Sequence, residues 1–351
     1  MKKQIILTML TLFIAVILAS SASAVMTVSN GIYNVSVQDN LTDEDVGTWT
    51  ACTGTEHPYP DEDVLYNGVD QEPWSTYLTV RDVNGQKDYT SQEGIGESTP
   101  GYTQVDLDDY AVSVTQVSPT QIDTFWSVGD ETPLFGILQS IKILGTTYED
   151  SRIQVTTYIT NYGQEVRTFA IRYFWDLAVA GNDGSQIRPR DPDGPWQTTE
   201  EGWIDPAFKE WEATDDPTTP TFSVYGSVTY PPGSTPPELL IAANYDASSD
   251  EAYDYTPTGL SLTEDSAMLY YWDPITIQPR GSSSVTAYLF TAPFNAPINS
   301  TSNATTTVGA ASTTTSTGKT IPMQTTGAPI GLLIVGMLVT VAGTLYPRIK
   351  K

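Results

Sequence analysis

Apolar and polar residues alternate over a long central stretch, and this period of two constrains the fold more than any other feature of the chain. Between residues 152 and 177, every second residue is apolar or β-branched on either side of a turn at residues 161–164. These residues are Ile153, Val155, Thr157, Ile159, Phe169, Ile171, Tyr173, Trp175 and Leu177. Successive side chains of a strand point to opposite faces, so the pattern predicts two strands joined as an antiparallel hairpin.

Shorter runs of the same kind recur from residue 31 to residue 290, separated by Gly, Pro, Asn and Asp. Long helical periodicity is absent from residues 25–298. The only helix expected there is a turn or two at residues 206–213, where Phe208 and Trp211 would share a face. No internal repeat or linker divides this stretch. We therefore expect an all-β fold in which residues 25–298 form one large antiparallel β-sandwich.

The two ends of the chain carry targeting signals. Residues 1–24 combine two lysines, an apolar run and small residues, which is typical of a signal helix cleaved after Ala24; an uncleaved anchor is the alternative. Residues 327–346 are uncharged and long enough for one C-terminal transmembrane helix. The basic tail, residues 347–351, should stay in the cytoplasm. We expect a cell-membrane protein with a single span and an extracellular N-terminal domain.

A stalk should separate the domain from the membrane. Residues 299–326 are dominated by Thr and Ser, and such a composition buries too little apolar surface to fold. Processing of the tail near Thr326 is an alternative to a permanent span. Four asparagines lie in Asn-X-Ser/Thr acceptors for glycosylation: Asn34, Asn40, Asn299 and Asn303.

Charge and residue counts exclude several function classes. The formal net charge of −26 argues against nucleic acid and anionic lipid as partners. Cys52 is the only cysteine and His57 the only histidine, which excludes an intramolecular disulfide, a two-histidine zinc site and a CxxC redox pair. A Cys52–His57 dyad is a weak hypothesis, since a nucleophile and its base usually come from distant parts of a chain. No catalytic motif is evident, so no enzyme activity is predicted. Glycoside hydrolases use a pair of carboxylates. With 42 acidic residues, some pair lies close together in any fold, so such a pair does not indicate this activity.

Three stretches carry a resemblance to known proteins: residues 72–89, 152–189 and 264–290. In their order they resemble uncharacterised secreted bacterial and archaeal β-proteins, and they are similar in layout to galactose-mutarotase-like supersandwiches. The most specific pieces are residues 182–184 and residues 265–267. Mutarotases depend on histidines and a glutamate in the sugar pocket, and no histidine follows His57, so the resemblance implies a fold and no activity. Residues 321–331 resemble the C-terminal anchors of surface proteins from methanogenic archaea.

An aspartate-rich segment follows the second central strand. Asn, Asp and Gly at residues 181–184 tolerate positive φ, so a structural turn explains this segment without a cofactor. The alternative is a calcium site formed by Asp176, Asp183, Asp191 and Asp193. Arg172 and Arg188 lie close enough in sequence to pair with these acids instead.

Three tryptophans fall in the long connection between residues 181 and 220, where binding loops on a rigid scaffold are common: Trp196, Trp203 and Trp211. Sugars stack on exposed aromatic faces, so these three are the candidate ligand-binding residues. The stalk, the anchor and the missing catalytic residues favour a non-enzymatic envelope or adhesin-like protein, with cell-envelope glycans or surface proteins as partners. The alternative is a carbohydrate-binding or carbohydrate-active surface protein.

Overall fold

Strands make up nearly all the regular structure of the described residues. The computed structural model describes residues 25–293 except 43, 69–71, 96–98 and 130–131. The predicted signal helix, stalk, transmembrane helix and basic tail, with Asn299 and Asn303, lie outside these residues. Within them, no helix is long and apolar enough to span a membrane. The all-β prediction is confirmed.

The strands are, in chain order, β1 (Val25–Ser29), β2 (Tyr33–Gln38), β3 (Trp49–Thr53), β4 (Tyr77–Asp82), β5 (Lys87–Thr90), β6 (Thr103–Asp106), β7 (Ala111–Ser118), β8 (Gln121–Val128), β9 (Phe135–Leu144), β10 (Arg152–Asn161), β11 (Arg167–Leu177), β12 (Gln186–Arg190), β13 (Glu201–Ile204), β14 (Glu210–Thr214), β15 (Ser223–Ser227), β16 (Leu239–Asn244), β17 (Ser266–Ile277) and β18 (Ser282–Phe290). The helices are a 3₁₀ turn, Asp108–Tyr110, and the short helix α1, Tyr245–Ser249.

Three sheets build the sandwich. One has eight strands in the order β12-β14-β15-β18-β10-β9-β8-β7, and a second has seven in the order β13-β16-β17-β11-β4-β5-β6. The strands β1, β2 and β3 form a smaller third sheet. The main core lies between the large sheets: the Thr157 hydroxyl on β10 and the Tyr173 hydroxyl on β11 are 2.8 Å apart across it. Trp49 of the third sheet packs edge-on against Trp175 in the same core.

The predicted hairpin between the two central strands is wrong, although both strands exist. Strand β10 pairs with β9 and β18, whereas β11 pairs with β4 and β17 in the facing sheet. Residues 162–166 therefore cross from one sheet to the other. An alternating pattern defines which face of a strand is apolar, but both hairpin partners and facing strands satisfy it.

The outer face of β11 is buried as well. Arg172 on that face is fully buried, and its guanidinium donates to the carbonyls of Ser248, Glu251 and Tyr253 and to the Tyr77 hydroxyl. The segment that follows β16, including α1, thus covers the seven-stranded sheet. The buried guanidinium thereby holds the end of α1 and the residues after it against β11.

The helix expected at residues 206–213 is also absent, because this stretch supplies strand β14 instead. Trp211 and Ala213 point into the core, and the Trp211 indole nitrogen donates to the Tyr270 hydroxyl at 2.6 Å. Pairing with β12 and β15 satisfies the backbone of β14 on both sides. An isolated helix of two turns has too few hydrogen bonds to compete.

Candidate functional site

Three aspartates from separate segments meet at one end of the seven-stranded sheet. Asp176 lies near the end of β11, Asp183 in the loop that follows, and Asp265 directly before β17. The β11–β17 ladder sets Asp176 opposite Ala267, and Ser266 donates from its backbone and its hydroxyl to the Asp183 carbonyl. One carboxylate oxygen of each aspartate lies within 4.8 Å of the others. We call these three residues the Asp cluster.

The Asp cluster contains carboxylate oxygens that lack a hydrogen-bond donor. The Oδ1 atoms of Asp176, Asp183 and Asp265 are all buried without a partner. Asp176 is 2% exposed, and its carboxyl group hydrogen-bonds with the Ser75 side chain. Buried polar atoms are nearly always paired, so three neighbouring carboxyl groups that each contain an unpartnered oxygen favour a bound cation or added protons.

Burial and mutual repulsion perturb the acidity of the cluster. Burial raises the pKa of Asp176 well above its usual range, with Asp265 and Asp183 adding repulsion. Burial, followed by repulsion from Asp183 and Asp246, raises the pKa of Asp265 to about 7. The pKa of Asp183 is raised by burial and by Asp246. The raised pKa values of all three aspartates indicate that no cationic side chain of the protein compensates their negative charges.

The two arginines that could have neutralised these acids, Arg172 and Arg188, bind other groups. Arg172 donates to backbone carbonyls under α1, and Arg188 pairs with Glu212 at 2.6 Å. Among the described residues, no ion pair within 4.0 Å involves the Asp cluster. The alternative of an arginine-paired acidic segment therefore does not apply to these three aspartates.

The loop between β11 and β12 is a tight turn, as the Gly and Asn residues predict. Val179 and Asn182 exchange backbone hydrogen bonds of 3.0 and 3.1 Å. The positive φ angles fall at Ala180 and Gly181, at 51° and 75°, rather than at residues 182–184. The turn reverses the chain so that Asp183 returns to the end of β11.

An open cleft with a volume of about 550 Å³ adjoins the Asp cluster and shares Asp183 with it. Polar side chains dominate its lining: Asn34, Asp61, Asp63, Tyr66, Asn67 and Asp183. Carboxylates accept hydrogen bonds, and amides both donate and accept them. The cleft can therefore bind a ligand that presents many hydroxyl groups.

An aromatic edge, formed by Tyr66 and Trp74, adjoins this cleft through Tyr66, which belongs to its lining. The Tyr66 ring meets the Trp74 ring edge-on at 6.0 Å, and Trp74 meets Tyr245 in the same way at 6.1 Å. Trp74 is 38% exposed, which is unusual for a tryptophan of this chain. Burial, followed by charge repulsion from the Asp cluster, raises the pKa of Tyr66 above its ordinary value.

The four aspartates predicted as a calcium site divide into two places. Asp176 and Asp183 meet at the cluster, with Asp265 as their third member. Asp191 instead binds Lys209, and Asp193 pairs with Arg190 at 3.0 Å. The last two lie at the edge of the eight-stranded sheet, where β12 ends.

The three candidate tryptophans are not gathered into one surface. Trp211 is fully buried, because β14 directs it into the core. Trp203 is half-buried on β13 and packs edge-on against Phe208 at 5.6 Å. Trp196 is half-buried under the Arg188 guanidinium, 4.3 Å from its ring centre. Trp211 has no exposed face on which a sugar could stack.

The Cys52–His57 dyad does not form. One ring nitrogen of His57 contacts the Tyr59 carbonyl at 2.8 Å, and the other contacts the Thr291 hydroxyl at 2.7 Å. Burial lowers the pKa of His57, so the ring is neutral at pH 7. The Cys52 thiol contacts the Thr53 carbonyl at 3.5 Å. His57 therefore ties two segments together and has no nitrogen left for a nucleophile.

The two described glycosylation acceptors differ in setting. Asn34 lies half-buried on β2, contacts the Cys52 sulfur at 3.7 Å and lines the cleft. Asn40 lies in the turn after β2, where its amide oxygen accepts from the Thr42 backbone and hydroxyl. Glycosylation at both remains a prediction.

Asp265, Tyr66 and Trp74 were not among the predicted site residues. Asp265 lies in one of the most specific pieces of the resemblance, residues 265–267, directly before a strand. This position in the resemblance was the sequence feature that could have identified Asp265 as a site residue. Nothing in the alternation pattern places it beside Asp183, because the neighbourhood depends on the pairing of β11 with β17.

Comparison with known proteins gives a likeness of fold. No protein-family model matches the chain. No curated protein matches it. Among solved structures, a galactose mutarotase-like protein from Lactobacillus casei aligns with 76% of this chain and 99% of its own, at 8% identity and a TM-score of 0.42. A galactose mutarotase related enzyme from Lactobacillus acidophilus aligns with 77% and 98%, at 7% identity and a TM-score of 0.41. An aldose epimerase homologue from C. elegans aligns with 77% and 99%, at 8% identity and a TM-score of 0.40.

These comparisons agree with the expected galactose-mutarotase-like layout and overturn one functional prediction. The chain was expected to be a non-enzymatic envelope or adhesin-like protein, and that prediction is contradicted, since the matched structures bear the names of carbohydrate-related enzymes.

Proposed function

We propose that this chain is a carbohydrate-binding or carbohydrate-active protein and that the glycan binds in the cleft beside the Asp cluster. The observation behind the proposal is the lining of the cleft. Six acidic, amide and phenol side chains converge there on a space of about 550 Å³, the size class of small-ligand sites. A saccharide presents several hydroxyl groups that both donate and accept, and this lining can pair with them.

The aromatic edge adds a second type of contact. The apolar C–H faces of a pyranose ring pack on aromatic rings, and Tyr66 lines the cleft while Trp74 packs against Tyr66. Their edge-on contact and the neighbouring Tyr245 hold both rings in place. An aromatic ring held in place beside polar side chains favours ligands that have both apolar and hydroxylated faces.

We further propose that the domain acts outside the cell. The composition of residues 299–326 and 327–346 supports a stalk and a membrane anchor, and the net charge of −26 disfavours nucleic acid as a partner. Cell-envelope glycans are then the ligands within reach. Protease treatment of intact cells should release the domain; recovery of the protein only from cytosol would contradict this placement.

A glycan array with the full-length chain, purified in detergent, tests the proposed ligand class. We expect saturable binding of at least one glycan, weakened by Tyr66→Ala and by Trp74→Ala. Tyr158→Ala is the matched control, since Tyr158 is 37% exposed on β10 and does not line the cleft. Mutarotation or hydrolysis of a bound glycan would identify the chain as carbohydrate-active rather than purely binding. Equal binding by all variants would refute the cleft as the site.

A further inference from the structure

We propose that Asp176, Asp183 and Asp265 form a binding site for one divalent cation, with Ca²⁺ the ion that suits them. The three contribute carboxylate oxygens that lie within 4.8 Å of one another. Two oxygens that each lie about 2.4 Å from a single Ca²⁺ can be no more than about 4.8 Å apart, and the cluster meets this limit. The ligand set consists of oxygen atoms only, which favours hard cations over zinc or copper.

The decisive observation is the unpartnered oxygen of a buried side chain. Asp176 is 2% exposed, and its Oδ1 atom has no hydrogen-bond donor. The Oδ1 atoms of Asp183 and Asp265 are in the same state. Leaving a buried carboxylate oxygen unsatisfied is unfavourable, and one carboxylate oxygen of each of the three residues lies within 4.8 Å of the others. A cation bound between the three carboxylates would compensate their charge.

The proposed ion would cross-link three segments of the chain. Asp176 belongs to β11, Asp183 to the loop that follows β11, and Asp265 to the loop that precedes β17. Asp246, at the start of α1, adds negative potential to the site. Because Asp183 and Gly181 also line the cleft, the ion would hold one wall of the cleft in place. This last consequence for glycan binding rests on the proposed function; the cation site itself does not.

Calcium titration of the full-length chain tests the site. After removal of metal with a chelator, we expect Ca²⁺ at about 1 mM, the range of extracellular calcium modules, to raise the melting temperature by several degrees. Calorimetric titration should give one site per chain. Asp183→Asn and Asp265→Asn should each weaken Ca²⁺ binding by roughly tenfold or more.

The control is Asp191→Asn, since Asp191 binds Lys209 and lies outside the cluster. It should leave the Ca²⁺ response unchanged, which separates a built site from weak binding to an acidic surface. Asp265→Asn removes repulsion and should fold at least as well as the unaltered chain without metal, so a lost response cannot be attributed to misfolding. The site would be overturned if the unaltered chain shows no saturable binding, or if Asp183→Asn and Asp265→Asn bind Ca²⁺ as tightly as the unaltered chain. An equal response to Mg²⁺ would overturn the choice of ion.

Failure of this test is distinguishable from failure of the proposed function. Glycan binding that survives chelation would leave the cleft assignment intact while showing that the ion does not hold its wall. Calcium binding without any glycan ligand would leave the cation site intact.

Discussion

Gly184 lies directly against the backbone of Thr263, so that a Cβ atom at position 184 would stand 2.2 Å from the Thr263 carbonyl carbon and oxygen. At this point the backbone of the loop after β11 lies directly against the backbone of the loop before β17. This close approach brings Asp183 and Asp265 together, and it explains the glycine without a positive φ angle at that residue.

Gly184→Ala should destabilise the domain by about 2–3 kcal/mol, because neither backbone can retreat without moving a strand end. Gly181→Ala is the matched control: its φ is 75° and no atom lies within 4 Å of its Cβ position. It should cost only about 1 kcal/mol of backbone strain. Denaturant unfolding measures both, and equal losses would contradict the steric explanation.

Arg172→Met should destabilise the domain by about 3 kcal/mol, since it removes the buried guanidinium that donates to the Tyr77 hydroxyl and to the carbonyls of Ser248 and Tyr253. Hydrogen exchange should also rise in residues 245–255, which Arg172 holds against β11. The same change at Arg280, which is exposed, should alter neither quantity. Unchanged exchange in Arg172→Met would show that apolar packing alone fixes α1.

Asp45→Asn should make the free energy of unfolding of the domain less dependent on pH. Burial, with repulsion from Asp108, Glu44 and Glu93, raises the pKa of Asp45 from 3.8 to about 7. Burial raises the pKa of Asp108 to about 6. The native state thus keeps protons that the unfolded chain has released.

The free energy of unfolding should therefore fall as the pH rises from about 4 to about 7 and level off above. In Asp45→Asn the fall should be smaller and stability at neutral pH higher, because one buried charge is gone. The asparagine oxygen can still accept the Glu93 backbone N–H, which donates to Asp45 at 2.7 Å. Unfolding titrations across this range measure the slope, and an unaltered slope would contradict the prediction.

Trp211→Ala should destabilise the domain by about 3–5 kcal/mol, as expected for a large core side chain. Its indole packs near Trp175 and bonds Tyr270, so its loss would open a cavity between the sheets. Trp196→Ala should cost about 1 kcal/mol or less, since it removes only a stacking contact with Arg188. Comparable losses in the two variants would contradict the difference in burial.

The sequence predicted strands better than it predicted their partners. Alternation correctly marked β10 and β11 and their inward faces, because period two follows from strand geometry alone. It could not show that the two strands face each other across the core. The same limit applied at residues 206–213, where Phe208 and Trp211 fitted a helix and pairing with β12 and β15 decided for a strand.

The candidate site could be predicted only in part from the sequence, for a related reason. Asp176 and Asp183 lie within one short segment, so their proximity could be predicted. Asp265 joins them only through the β11–β17 ladder, and Tyr66 and Trp74 only through the packing of loops around it. Asp191 and Asp193 looked equivalent to Asp183 in sequence, but Lys209 and Arg190 hold them at another edge.

Calorimetric titration of the full-length chain with its best array glycan tests the central claim most directly. We predict saturable one-to-one binding that is weakened in Tyr66→Ala and in Trp74→Ala and retained in Tyr158→Ala, with melting temperatures showing that all three variants fold. Undiminished binding in both Tyr66→Ala and Trp74→Ala, or no binding of any glycan by the unaltered chain, would contradict it.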